Sequence, residues 1–65
     1  METDRILKEL QREYPNPLDA HALLDLLPMF NRNTIRGTLG RLAREKKILR
    51  VNPGRYRWIP PASNV

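Results

Sequence analysis

Prolines partition this chain. Six of them, at positions 15, 17, 28, 53, 60 and 61, each lack a backbone donor and push the preceding residue out of the α region. Regular elements must therefore fit between Met1 and Tyr14, between Leu18 and Leu27, in the long stretch after Pro28, and around the turn sequence Asn52-Pro53-Gly54-Arg55. At 65 residues there is room for one small domain, expected over 1–61, with 62–65 as a frayed tail. A core this small is marginal, so large apolar side chains are needed for folding before they are available for anything else.

Hydrophobic spacing assigns the segments. Ile6, Leu7 and Leu10, with Tyr14 just beyond, lie at helical spacing and predict a first helix from about Glu2 to Glu13, capped by Thr3 or Asp4. Leu18 adds a short extended segment. Asp19 is the expected cap of a second helix reaching about Leu27, with Ala20, Leu23, Leu24 and Leu27 as its inner stripe and Pro28 as its stop. Asn31 is the expected cap of a third helix running from Arg32 to about Lys46. Counting from it, Phe30 and Ile35 occupy the two positions of a hydrophobic staple. Ile35, Leu39, Leu42 and Ala43 form its inner face. Ile48 to Val51 and Arg55 to Ile59 alternate like strands, which predicts Leu49 and Val51 inward on the first, Tyr56 and Trp58 inward on the second, and Arg50, Arg55 and Arg57 outward.

Charge divides the chain in two. Residues 1–30 carry three basic and six acidic side chains, net −3, whereas residues 31–65 carry nine basic side chains against Glu45 alone, net +8. Seven of those nine are arginine, whose planar fork suits phosphate and guanine edges better than an ammonium does. The segregation points to a polyanion-binding face in the second half, the plain alternative being a solvated basic surface that aids solubility.

Helix, helix, helix, hairpin is the expected order: mainly α with a small β element. The stretch NRNTIRGTLGRLAREKKILRV followed by NPGRYRW resembles the third helix and wing of winged helix-turn-helix domains, a DNA-binding family, and the resemblance extends over about Ile6 to Ile59. It implies that the third helix enters a major groove by its N-terminal half and that the wing, of two or three strands, reaches phosphate or minor groove. The chain departs from the family's pattern at Pro28-Met29-Phe30, a longer link without glycine. It departs again after the third helix, where Lys47 replaces the usual glycine, which predicts a strained or differently closed helix end.

On that resemblance Arg32, Asn33, Arg36, Gly37 and Gly40 are the candidate base-reading positions, and Thr34, Thr38, Arg41, Arg44, Lys47, Arg50, Arg55 and Arg57 the candidate backbone or wing contacts. Gly37 and Gly40 each weaken a helix by roughly 1 kcal/mol relative to alanine. Either they permit close approach to a groove, or they pack beneath the first helix, or the cost is simply tolerated. Tyr56, Trp58 and the leucine stripe of the second helix are read as core rather than as base-stacking platforms or a dimer seam.

Other chemistries find little support. The chain has no cysteine, so disulfides and thiolate chemistry are excluded. There is no glycine-rich phosphate loop or metal-ligand spacing, and the lone His21, four residues before Asp25, lacks a nucleophile. The expectation is therefore a cytoplasmic non-enzyme with no cofactor or metal and no membrane association. It binds double-stranded DNA as a small transcription regulator, as a monomer or weak homodimer. The alternative is a protein-interaction module whose basic face docks on an acidic partner, such as a polymerase or nuclease surface.

Overall fold

Between the proline stops, the described residues form three helices and a three-stranded antiparallel sheet. These are α1 (Glu2–Glu13), β1 (Leu18–Asp19), α2 (Ala20–Leu26), α3 (Arg32–Arg44), β2 (Ile48–Asn52) and β3 (Arg55–Trp58). The structure, a computed structural model, describes residues 2–61; the expected tail at 62–65 lies outside them. β3 is central, with the strand order β1-β3-β2. Leu18 stands opposite Tyr56, and Ile48 opposite Trp58. The topology is winged-helix-like: three helices followed by a hairpin, with the short strand before α2 closing the sheet.

The expected caps of α2 and α3 are in place. The Asp19 carboxylate accepts a hydrogen bond from the Ala22 amide at 2.7 Å. The Asn31 side-chain oxygen accepts one from the Thr34 amide at 2.7 Å. Each satisfies an amide that has no partner within its helix, and each contributes about 1 kcal/mol. In α1, by contrast, Thr3 and Asp4 lie inside the helix, which already includes Glu2, so neither is a cap. The Thr3 hydroxyl instead accepts a hydrogen bond from the Arg41 guanidinium, tying α1 to α3.

One core holds these elements together. Ile6 and Leu10 of α1, Leu23 of α2, Leu27 just after it, Ile35, Leu39 and Leu42 of α3, and Ile48 of β2 are buried. Leu18, Ala20, Leu24, Phe30, Tyr56 and Trp58 pack on their margin. Tyr14 meets Trp58 edge to face, with ring centroids 5.5 Å apart and planes at 86°, which closes the end of α1 over β3.

Two expectations about the strands and the helix end need correction. On β2 the inward residue is Ile48, only 2% exposed, whereas Leu49 is 43% exposed and Val51 is also exposed. The alternation is out by one because ILRV is apolar on both parities. Pairing of Ile48 with Trp58, in a register that shifts between Arg50 and Asn52, decides which parity turns inward. The third helix stops at Arg44, two residues before the expected end, and the left-handed residue is Lys46, at φ 63°, rather than Lys47. The Lys46 amide donates to the Ala43 carbonyl at 3.1 Å and the Lys47 amide to the Leu42 carbonyl at 3.0 Å. That pair of bonds is the Schellman closure, built on lysine where glycine is the usual residue.

Candidate nucleic-acid interface

The cap at Asn31 fixes where α3 begins and so which residues occupy its first turns. Arg32, Asn33, Arg36 and Gly37 follow it and are exposed, and Gly40, one turn on, is half-exposed. Asn31 itself is spent on the cap. Across from this end of the helix lies the β2–β3 turn, where Gly54 takes the positive φ of 80° that the reversal requires. Helix end and turn are separated by a groove of about 320 Å³, lined by Arg32 and Arg36 on one side, Gly54 and Arg55 on the other, and Ala20 and His21 of α2 at its end. A neighbouring recess of about 260 Å³, bounded by Arg36, Leu39, Gly54 and Tyr56, continues it inward.

Three of the expected cations thus converge: Arg32, Arg36 and Arg55. Arg41 and Arg44 follow on the exposed side of α3, farther from its start, with Arg41 engaged by Thr3. Arg50 is exposed on β2 opposite Tyr56. Arg57 does not join them. It is half-buried, its Nη1 donates to the Trp58 carbonyl at 3.1 Å, and its guanidinium carbon stands 5.9 Å from the centre of the Tyr14 ring, so it stacks at the end of α1. Lys47 sits beyond the other end of α3, where it pairs with Glu45 at 3.6 Å.

Thr38 is a correction. It is 8% exposed and belongs to the buried face of α3 with Ile35, Leu39 and Leu42, so its hydroxyl cannot reach a phosphate. Spacing carried the signal, since Thr38 lies three residues after Ile35 and four before Leu42, on the same helical ridge. Thr34 is half-buried beside the cap that its amide completes. His21 and Ala20 are lining residues that pattern reading missed. They reach the groove because the Leu18 to Tyr56 and Asp19 to Arg55 pairings bring the start of α2 against the hairpin.

Both helical glycines lack an internal reason. A Cβ built at Gly37 or Gly40 meets no atom within 4 Å, so packing beneath α1 does not account for either. Electrostatically the face carries an excess of positive charge. The ion pairs among the described residues join Arg12 to Glu9 at 3.5 Å and Lys47 to Glu45 at 3.6 Å, and the His21 ring lies 4.0 Å from the Asp25 carboxylate. None involves Arg32, Arg36, Arg41, Arg44, Arg50 or Arg55. Asp19 is the one acid lining the groove; one of its carboxylate oxygens accepts from the Ala22 amide, and its charge offsets only part of the three arginines' charge.

Among the described residues no cluster of His, Cys, Asp or Glu is placed to hold a metal ion, and no helix is long and apolar enough to cross a membrane. No protein-family model, no curated protein and no solved structure matches the chain.

Proposed function

We propose that this is a winged helix-turn-helix domain that binds double-stranded DNA with sequence preference, as a small transcription regulator. The first two turns of α3 enter the major groove, and the hairpin turn rests on the adjoining backbone or minor groove. The observation that carries this reading is the convergence of Arg32, Arg36 and Arg55 on one groove, without an ion-pair partner among the described residues.

The chemistry follows from the side chains. Arginine reads guanine through O6 and N7, asparagine reads adenine through N6 and N7, and each such pair discriminates by about 1–3 kcal/mol. Arg36 and Asn33 are exposed on the first turns of α3 and take these roles. Arg41, Arg44, Arg50 and Arg55 hold phosphates, which orient the domain without reading sequence. Arginine at a hairpin tip also suits the negative potential of a narrow minor groove.

The test is selection from randomised duplex across a salt series, on the native chain and on Arg36→Ala and Arg36→Glu. The reading requires a selected site, relaxed preference in Arg36→Ala, and loss of duplex binding in Arg36→Glu. Equal affinity of Arg36→Ala and the native chain for the selected site refutes the groove assignment. Duplex binding untouched by Arg36→Glu points instead to a basic face that docks on an acidic protein.

A further inference from the structure

A second groove, of about 380 Å³, lies at the opposite end of α3, between α1 and the end of β3. Its walls are Leu7, Trp58, Ile59 and the Pro60-Pro61 pair, with Gln11, Lys46 and Lys47 at the rim. Leu7, Trp58 and Ile59 are only half-buried, so the described residues leave apolar surface open here. Tyr14 fixes the Trp58 ring by its edge-to-face contact. α3 is 13 residues long, which separates its two ends by about 20 Å. An occupant of this groove therefore does not compete with one at the Arg32–Arg36 end, and the inference does not rest on the DNA reading.

We propose that this groove binds a peptide segment of a partner protein that carries acidic and large apolar side chains together. Charge complementarity selects the class. Lys47 is partly neutralised by Glu45 at 3.6 Å, while Lys46 has no ion-pair partner among the described residues. The apolar floor takes an aliphatic or aromatic side chain, and the lysine rim takes its acidic neighbours. Gln11 supplies an amide able both to donate to and to accept from a peptide unit, which an acyl chain does not need. Lys46 adds a second line of argument. It is held at φ 63°, where glycine is free of strain and lysine is not. The helix closure accounts for that backbone, and lysine in place of the usual glycine keeps a cation at the groove's rim.

The experiment uses the full chain, a short Glu/Leu/Phe peptide and its Lys/Leu/Phe counterpart. Trp58, the sole tryptophan, reports binding by fluorescence, and amide chemical shifts map it. The proposal expects a saturable response to the acidic peptide, shifts at Leu7, Gln11, Lys46, Lys47 and Ile59, and no response to the basic one. Lys46→Gly is the informative variant, because it removes the charge while relieving the backbone. It melts about 4–8 °C higher yet binds the acidic peptide roughly fivefold more weakly, the upper range for one exposed charge. Unchanged peptide affinity in Lys46→Gly, no saturable response, or equal response to both peptides overturns the proposal. So does perturbation of these residues by duplex DNA instead of peptide, which assigns the surface to nucleic acid.

Discussion

Replacing Gly37 and Gly40 together with alanine separates stability from binding. Both lie within α3, neither has a positive φ, and a Cβ at either meets no atom within 4 Å. The helix-propensity gain of about 1 kcal/mol per site is then undiminished by any clash. The two methyl groups share no packing partner, so the gains add to about 2 kcal/mol. In a domain of this size 1 kcal/mol moves the melting temperature by about 4–8 °C, so the double variant should melt about 8–16 °C above the native chain. Far-UV circular dichroism on heating measures this. If α3 lies against DNA by its glycine face, the same methyl groups hold the helix off the groove. Duplex affinity, read by anisotropy at fixed salt, should then fall about tenfold, or about 1.4 kcal/mol. A double variant that melts at or below the native temperature refutes the helix argument. One that melts higher and binds as tightly refutes close approach.

The remaining expectations follow from the charge and the core. Arg55→Ala should weaken binding to all duplex sequences alike and reduce the salt slope by about 0.9, the value for one lost phosphate contact; a change confined to one site would make Arg55 a base reader. Ile48→Ala should cost about 2–4 kcal/mol in urea unfolding, whereas Leu49→Ala should cost less than about 1 kcal/mol; the reverse order would restore the other strand phase. Added sodium chloride should stabilise the free domain modestly, by screening its uncompensated basic half; a melting temperature that falls with salt would mean that attraction between the halves dominates.

Helices were legible where local chemistry decides them. The spacing of Ile6 and Leu10, the Asp19 and Asn31 caps and the stop at Pro28 are statements about neighbouring residues, and each survives in the structure. The short strand at Leu18 was legible as well, because Pro17 and the Asp19 cap leave only extended backbone between them. What failed depended on distant partners. Ile48 turns inward because of Trp58, ten positions on in sequence, and no periodicity within ILRV contains that information. Arg57 reads as one more wing cation until Tyr14, at the far end of α1, is placed against it. The groove between Arg32, Arg36 and Arg55 is likewise a product of the β1–β3 pairing, which brings the hairpin to the start of α2. Thr38 is a different failure, since its spacing marked it as inward and only its polarity suggested otherwise.

Segregation of charge in space is the step that joins these observations. Acidic side chains are available in the same chain, on α1 and α2, and pairing them with the arginines of α3 and the hairpin would lower the electrostatic energy of the free domain. The ion pairs among the described residues are instead local to one element or one turn: Arg12 with Glu9 and Lys47 with Glu45. None joins the acidic half to the basic half. A fold arranged for stability alone has no reason to leave Arg32, Arg36 and Arg55 facing one another across a groove, because like charges brought together raise the energy of the folded state. Under the DNA-binding proposal that energy is recovered when phosphates enter and counterions leave, so the repulsion in the free domain becomes part of the salt dependence of binding. The same reasoning explains why Asp19 is tolerated on the groove. Its carboxylate caps α2, the element that forms the groove's end wall, and its single negative charge is outnumbered by the three arginines opposite.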